Sequence, residues 1–482
     1  MIATDVLTDK ALLSLTPERM RAMIAGEPEL AAWVMVRLQA LALERAATGA
    51  AGKPDLSTPS AMIPPYAKAN KKERKGKRRG RPTGHAGARR AAPLRIDHRA
   101  EHKLRCCPDC GHRVGRPRAA RRRVIEDIEQ TKAAATEHTI HQYYCTHCHK
   151  RVEPKVTQAL PKSAIGNRTL ALTAWLHYGL GTTVSQIEQV LARVFQLPLS
   201  GGGLAQQWQR LGEILRPWHE QIGQQARGAA VLHADETGWR VNGRLNWLWC
   251  FTAPALTYYT IDRSRGAGVL LEFLGQCFAG TLVSDFFGAY NKIAADRRQV
   301  CLVHLLREIK RVSERNRSEN WLQFARTLRR ILKDAIGLAA RGDRAAADYG
   351  SKRERIKRRL EDLCYSDIRD GDAVRLMKRL FKHEDYLFTC LDDLAVPPDN
   401  NRAEREIRPA VIARKNSFHN TSDRGAQTQA TLMSIYRTLK LRDLDPMGEI
   451  VRALETFIRT GALPPLPAAA PDSTPPPPPP DG

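Results

Sequence analysis

Two kinds of residue in this chain have types and spacings suited to chemistry: carboxylates at the ends of apolar runs, and cysteines in pairs. "VLHADETGW" carries Asp235 and Glu236, "GTLVSDFFGAY" ends its apolar run at Asp285, and "PPDNNRAEREIRPAVIARKNSF" carries Glu404. Two unpaired carboxylates placed together in a core are costly. A hard divalent cation between them reverses that, because Mg2+ takes carboxylate oxygens and keeps positions for water and phosphate. A third acid on a late helix, Glu404, allows two cations about 3.5–4 Å apart, which clamp both oxygens of a phosphodiester displacement. Glu236 points to the opposite side of its strand from Asp235 and is not expected at the metal. His233 shares the Asp235 side and reads equally as a neighbour of the site or as a core histidine. The cysteine motifs are Cys107-Pro-Asp-Cys110 and Cys145-Thr-His-Cys148. Two such knuckles supply four soft thiolates for a tetrahedral structural Zn2+. His147 and His149 are alternative ligands, and Cys106 is a spectator.

These residues need elements to hold them. Asn242-Gly243 is a strong hairpin signal, so the strand bearing Asp235 turns back into one with Trp247, Trp249 and Phe251 on one face. "LTYYTID" follows as a third strand, "GAGVLLEFLGQCF" as a helix, and a fourth strand ends at Asp285. That order is the order of an RNase H-like fold, whose first and fourth strands are neighbours and would set Asp235 beside Asp285. Asp399 is the expected N-cap of the helix that carries Glu404. Arg408 and Lys415 fall near the same helical face as Glu404 and suit phosphate, although Pro409 is expected to kink or end that helix.

The rest of the 482 residues sets the partners. Lys and Arg number 77 against 51 acids, a net charge of +26. Such an excess attracts polyanions, since each cation placed on a phosphate releases counterions. The hydrophobic fraction of 42% permits sizeable cores, and length alone suggests roughly three domains. No run approaches the ~18 apolar residues of a membrane helix. Asp5, Asp9 and Lys10 stand where a signal peptide needs an apolar block, so export is not expected.

Along the chain, residues 1–48 read as helical, with a Leu30, Val34, Leu38, Leu41 stripe that is either a dimer zipper or a packed face. Residues 49–98 are a basic, disordered arm. Its Lys71, Lys72, Lys75, Arg78, Arg79 and Arg81 would lie along DNA backbone, with "GRP" suited to an AT-rich minor groove. Residues 99–160 form the zinc-ribbon-like module, with "RRRVIEDIEQ" and "EHTIHQYYC" as strands. Residues 161–226 resemble a helix-turn-helix, with a first helix near Val184 to Phe195 and a second after Ser200. That second helix could enter a major groove or serve as an ordinary core hairpin. Residues 227–440 hold the acids, with a helical insertion at about 308–390. A C-terminal helix at 441–463 and a proline-rich, unpacked tail at 464–482 follow.

"HADET", "SDFFGAYN", "CLVHLLREIK", "DNNRAEREIRP…ARKNSFHNTSDRGA" and "LRDLDPMGEIVRAL", with the paired knuckles and "GRPTGHAGARR", resemble the insertion-sequence-66 family of transposases. The resemblance runs from about Pro82 to Leu463. It implies a DDE triad at Asp235, Asp285 and Glu404, with Mg2+ or Mn2+, acting on transposon ends and target DNA. It also implies a homodimer or larger assembly, small accessory proteins, and a cytoplasmic, nucleoid-associated bacterial setting. The sequence departs from the family at Phe286-Phe287, where a small residue is common, and after the Cys301/His304 pair, where "LLRE" stands. Cys301 and His304 read either as DNA contacts near the scissile phosphate or as a buried structural pair. The fold class expected is α/β: an RNase H-like catalytic core with a helical insertion, preceded by the helical N-terminus, basic arm, zinc module and helical DNA-binding region. The alternative in another class is a non-catalytic DNA-binding protein derived from a transposase.

Overall fold

Asn242 and Gly243 make the first long-range pairing local. Both have positive φ, 48° and 72°, the conformation of a type I′ turn, which Asn and Gly tolerate best. The turn joins β3 (Val231–Val241) to β4 (Arg244–Ala253), paired from Val241↔Arg244 to His233↔Thr252. β5 (Leu256–Asp262) continues the antiparallel run on β4. After α5 (Ala267–Leu274), β6 (Cys277–Ser284) returns parallel to β3, and β7 (Ala294–Val300) lies parallel to β6. The five-stranded mixed sheet therefore has the order β5-β4-β3-β6-β7. Gly280 permits the β6 approach: a Cβ there would stand 2.6 Å from the Ala229 carbonyl oxygen. The structure, a computed structural model, describes residues 95–469 together with Val34, apart from 97–98, 107, 117–123, 126–131, 342, 344 and 418–419.

Helices enclose both edges of the sheet. Upstream lie the hairpin β1 (Tyr143–Cys145) and β2 (Lys150–Val152), then α1 (Asn167–Ala174), α2 (Val184–Val194), α3 (Gly201–Ile214) and α4 (Arg216–Arg227). The two helices expected around residue 200 are thus present, and Ser200 caps the second by accepting the Gly203 N–H. Downstream of β7 come α6 (Leu302–Arg315), α7 (Glu319–Ala340), α8 (Tyr349–Cys364), α9 (Gly371–Lys382), α10 (Glu384–Leu387) and α11 (Thr389–Asp392). In α7 the buried Leu328, Ile331, Leu332 and Ala335 recur at helical spacing. They pack in one apolar cluster with Val283 and Val300 of the sheet. α12 (Asn401–Ser417), α13 (Asp423–Leu441) and α14 (Pro446–Thr460) complete the chain.

An open edge strand invites pairing with another chain, and α13 covers one edge with side chains. Ser434 Oγ and Thr438 Oγ1 accept the Tyr259 and Thr257 N–H groups of β5 at 2.8 and 3.1 Å. At the other edge, Gln299 of β7 donates to the Leu387 carbonyl and accepts the Cys390 N–H.

Three local expectations are corrected. The strand expected over "EHTIHQYYC" narrows to Tyr143–Cys145, because only these residues find an antiparallel partner, in Lys150–Val152. Val124 and Ile125, the described part of "RRRVIEDIEQ", are not in a strand. The tail does not leave the fold at Pro464: Trp218 donates to the Pro464 carbonyl, Gln221 accepts the Leu466 N–H, and Arg442 donates to the Pro467 carbonyl. Buried Leu466 supplies the apolar anchor that composition alone does not reveal.

The described residues of Glu137–Glu188 and Leu199–Gly482 form one compact unit, and those of Ala69–Thr136 with Gln189–Pro198 a second. The expected N-terminal helix (Val34 apart), the basic arm as far as residue 94 and the tail from residue 470 lie outside the described residues. Among the described residues, no helix is long and apolar enough to cross a membrane.

Candidate active site

The carboxyl ends of parallel strands are where α/β sheets present functional groups, and here the ends of β6 and β7 meet beside the middle of β3. Asp235 lies two residues beyond the His233↔Val283 pair, Asp285 directly follows β6, and Cys301 directly follows β7. The Cys301 N–H donates to the Ser284 carbonyl at 2.9 Å, locking the last two ends together. Asp235 Oδ1 accepts the Glu236 N–H at 2.9 Å, and Asp285 Oδ1 accepts the Phe287 N–H at 2.8 Å. Burial pushes the Asp235 carboxyl well above the usual carboxylate range, and the charges of Glu236, Asp285 and Glu404 push it further. Burial also raises Asp285; the Phe287 N–H and the charges of Arg265 and Arg379 oppose it, while Glu404 adds to it. Each carboxylate would be stabilised by added positive charge, so the donor set fits a hard divalent cation.

Glu404 reaches the same neighbourhood from α12 but is turned toward α6. Arg307 donates to both Glu404 oxygens at 3.0 and 3.1 Å, and His304 Nε2 stands 3.6 Å from one of them. Among the described residues, Cys301, His304 and Glu404 are the group of three or more possible ligands whose atoms all lie within 4.8 Å of one another. The three acids together are looser than that. Arg307 follows His304 by three residues on α6, a spacing that puts both on one helical face. That spacing is a signal in "CLVHLLREIK" which reading Cys301 and His304 alone overlooks.

Asn400, also missed from sequence, ties the pieces together. It is buried, accepts the His233 Nδ1 N–H through its Oδ1 at 3.0 Å, and donates through Nδ2 to the Ala234 carbonyl at 2.8 Å. Its backbone N–H donates to Cys301 Sγ at 3.3 Å, and its carbonyl accepts the Glu404 N–H at 3.1 Å. One residue thus registers α12 against the Asp235 strand and the Cys301 end. Burial pushes His233 down to about 4, so it serves as a neutral spacer behind the strand.

The capping at α12 differs from expectation. Asp399 Oδ1 accepts the Asn401 N–H at 2.9 Å, while Asn400 provides the carbonyl for the Glu404 turn. Pro409 does not end the helix, which continues to Ser417. Pro409 has no N–H to give the Arg405 carbonyl four residues back, and Arg405 is exposed. Arg408 and Lys415 are exposed. Arg414 of the same helix donates to Thr237 Oγ1 and the Gly238 carbonyl of β3.

Glu236 has partners of its own. Arg265 donates to its Oε1 through Nε and Nη2 at 3.0 and 2.8 Å, and the Tyr290 hydroxyl donates to its Oε2 at 2.7 Å. The Arg265 guanidinium lies 3.9 Å from the centre of the Phe287 ring, a cation–π contact. Arg379 stands over Phe286 at 5.6 Å. The two bulky residues after Asp285 therefore seat cations close to it.

The cysteine knuckles have simpler geometry. Cys145 ends β1 and Cys148 lies in the turn that leads to β2, with the Cys148 N–H 3.4 Å from Cys145 Sγ. That N–H bond, first among the causes, lowers the Cys145 thiol from its ordinary value. His149 follows with φ 51°. In the second unit, Cys110 lies in a turn closed by the Val114 N–H to Arg105 carbonyl bond, and Gly111 follows with φ 75°. Cys107 lies outside the described residues.

With this geometry in hand, comparison with known proteins defines the class. The profile of the "Transposase IS66 family" matches residues 162–428, more than half of the chain, and spans every element that carries Asp235, Asp285 and Glu404. The chain belongs to the IS66 transposase family. Its uncharacterized relative y4jD from Sinorhizobium fredii (strain NBRC 101917 / NGR234) is 24% identical over 387 residues, covering 73% of this chain and 74% of y4jD. The uncharacterized protein y4qI of the same strain is 25% identical over 324 residues, covering 60% of this chain and 58% of y4qI. A third, y4hP, is 20% identical and is covered over 61% of its length. Family membership implies use of a divalent metal and points to DNA as the partner.

Proposed function

We propose that the chain is a DDE-type DNA transposase with an RNase H-like core, which binds the terminal inverted repeats of its insertion sequence, cuts the 3′ end and joins it to target DNA. The observation that carries this reading is the pair of half-buried aspartates brought together by the neighbouring strands β3 and β6, each raised by loss of solvent, with Glu404 within electrostatic reach. Asp235, Asp285 and Glu404 would hold Mg2+ or Mn2+. When bound, the metal supplies Lewis acidity and charge neutralisation at the scissile phosphate. The aspartates offer oxygens held by backbone N–H groups on and beside neighbouring strands, so little reorganisation is needed there. Arg307, half exposed beside Glu404, is suited to a phosphate oxygen.

In the same reading Cys107, Cys110, Cys145 and Cys148 hold a structural Zn2+. The Cys148 N–H directed at Cys145 Sγ supports this, since it favours the thiolate that zinc requires. The arm residues Lys71, Lys72, Lys75, Arg78, Arg79 and Arg81, with Arg408 and Lys415, contact DNA backbone. The domain limits given above, a homodimeric or larger synapse, accessory proteins and a nucleoid-associated cytoplasmic setting belong to this reading too.

The test is cleavage of the element's own end by the full chain with Mg2+. A nick at the 3′ end that vanishes in Glu404→Gln, followed by strand transfer, supports the reading. Nicking at full rate in Glu404→Gln overturns the site. Cleavage without strand transfer points to a nuclease, and binding without cleavage in the native chain points to the non-catalytic alternative.

A further inference from the structure

A second ligand set adjoins the aspartates and shares one member with them. Cys301 sits at the end of β7, His304 lies in the first turn of α6, and Glu404 arrives from α12, with one ligand atom of each within 4.8 Å of the others. Thiolate, imidazole and carboxylate together select zinc over magnesium, which prefers oxygen alone.

Three further observations point the same way. His304 Nδ1 is buried and makes no hydrogen bond, and buried polar atoms ordinarily have a partner. The Asn400 N–H is directed at Cys301 Sγ at 3.3 Å, matching the N–H to sulfur contact in the Cys145 knuckle. Arg307 already places a positive charge at this point: Nη2 bonds both Glu404 oxygens, and Nη1 lies 3.3 Å from His304 Nε2. With its side chain 45% exposed, Arg307 can move into solvent and leave that charge to be replaced.

We propose that Cys301, His304 and Glu404 form a zinc site that withdraws Glu404 from Asp235 and Asp285, so that zinc and the catalytic cation compete for one carboxylate. Binding forms bonds to sulfur, nitrogen and oxygen, releases the thiol proton to solvent, and changes no oxidation state. Bonds of about 2.0–2.3 Å set tetrahedral ligand atoms roughly 3.3–3.8 Å apart, so closure takes about an ångström of side-chain movement. Three protein ligands leave a fourth position for water. The binding stands on this geometry alone. Its effect on cleavage rests on the triad reading above.

The experiment uses the full chain stripped of metal and titrated with Co2+, read by the cobalt–thiolate absorption band and by bound stoichiometry. The knuckle cysteines also take cobalt, so the readout is the difference between native chain and variant. Cys301→Ser and, independently, His304→Ala should each lose one equivalent, while Asp235→Asn keeps it. His304 is partly exposed, so its variant remains informative if the buried Cys301 substitution unfolds the protein. Arg307→Met should tighten the extra site by about tenfold, the scale of such neighbouring effects. In the cleavage assay, zinc should inhibit the native chain at concentrations about tenfold lower than Cys301→Ser, each measured against its own zinc-free rate. Identical stoichiometry and absorption in the native chain, Cys301→Ser and His304→Ala would overturn the site. Loss of cobalt without any difference in zinc inhibition would overturn the competition. Cobalt lost as expected from a native chain that cuts no DNA would keep the zinc site and remove the triad reading.

Discussion

The β1–β2 knuckle and the carboxylates of the sheet region are both candidate metal sites, and they solve opposite problems. Cys145 and Cys148 lie three residues apart in one short hairpin, and the hydrogen bond between them favours the charged thiolate. Asp235, Asp285 and Glu404 are scattered along the chain, and burial works against the charged form of both aspartates. The ligand pair of the first site is shaped by a short hairpin before a cation arrives. The second is assembled by sheet topology and holds repelling charges together. A local site can lose its cation at local cost, whereas the acid site couples its cation to the stability of the sheet.

The sharpest way to break that contrast is to neutralise an acid. Asp235→Asn and Glu404→Gln should each lower end cleavage by about a thousandfold or more, roughly 4 kcal/mol of transition-state stabilisation. Without divalent cation, however, Asp235→Asn should unfold at higher urea concentration than the native chain at neutral pH. Asp235 has a folded value raised above its unfolded one, so its cost is present at higher pH and disappears below the unfolded value. The advantage of Asp235→Asn should therefore shrink as pH falls toward about 4, the ordinary carboxylate value. An advantage that stays constant with pH would show that Asp235 carries no such burden. Divalent cation should stabilise the native chain and not the variant.

Glu236 offers the next largest effect. Its side chain is 2% exposed and paired with Arg265 at 2.8 Å. Removing one partner of a buried pair costs about 3–5 kcal/mol, so Glu236→Ala should lower unfolding free energy by about 3 kcal/mol. It should also loosen the Asp285 turn, because Arg265 stacks on Phe287. Urea denaturation measures the first effect, and the Mg2+ concentration needed for half-maximal cleavage measures the second. An unchanged magnesium requirement would confine Glu236 to the core.

The contrast also explains what could be read from sequence. Asn242-Gly243 specified its hairpin because the turn conformation is a property of those two residues. The order of the apolar runs points to β3 to β6, and the likeness of that order to an RNase H-like fold points to Asp235 beside Asp285. Glu404 was found as an acid on a late helix, but its pairing with Arg307 depends on how α12 meets α6. Asn400 was hidden for the same reason: its value lies in contacts with His233, Ala234 and Cys301, distant in sequence. Likewise, a proline-rich composition says nothing of the Trp218 and Gln221 partners that dock residues 464–467. Alternation sets Asp235 and Glu236 on opposite faces of β3, yet alternation does not supply Arg265 and Tyr290 as partners for Glu236.

Acid stability gives a smaller effect from the same packed region. His219 Nε2 lies 3.0 Å from the Tyr259 carbonyl, and its ring stacks on Tyr258 at 4.5 Å. Burial pushes it down to about 4, below its unfolded value near 6.5. Neutral His219 therefore supports the fold above about pH 6.5, and that support is lost as pH falls toward 4. Near pH 5 the loss is about 2 kcal/mol. His219→Gln should flatten the decline in urea midpoint between neutral pH and pH 5. An unaltered slope would place the acid sensitivity in other groups.

The smallest expected effect tests the independence of the knuckle. Cys148 is exposed and lies in a turn of three-residue strands, so its side chain carries none of the sheet's packing. Cys148→Ser should remove zinc from the knuckle while shifting the main unfolding transition by less than about 0.5 kcal/mol, the usual range for surface substitutions. Metal content, read on a Cys301→Ser background to exclude the second proposed site, should fall by one equivalent. Tryptophan fluorescence should follow the main transition, since Trp247 and Trp249 lie in β4 and Trp321 in the helical cluster. If that transition instead falls together with the zinc, the knuckle is coupled to the sheet, and the division between a site made by a turn and a site made by topology fails. If it holds while zinc is lost, the two sites answer to different parts of the sequence. The knuckle could then be altered for a new DNA end without disturbing the carboxylates.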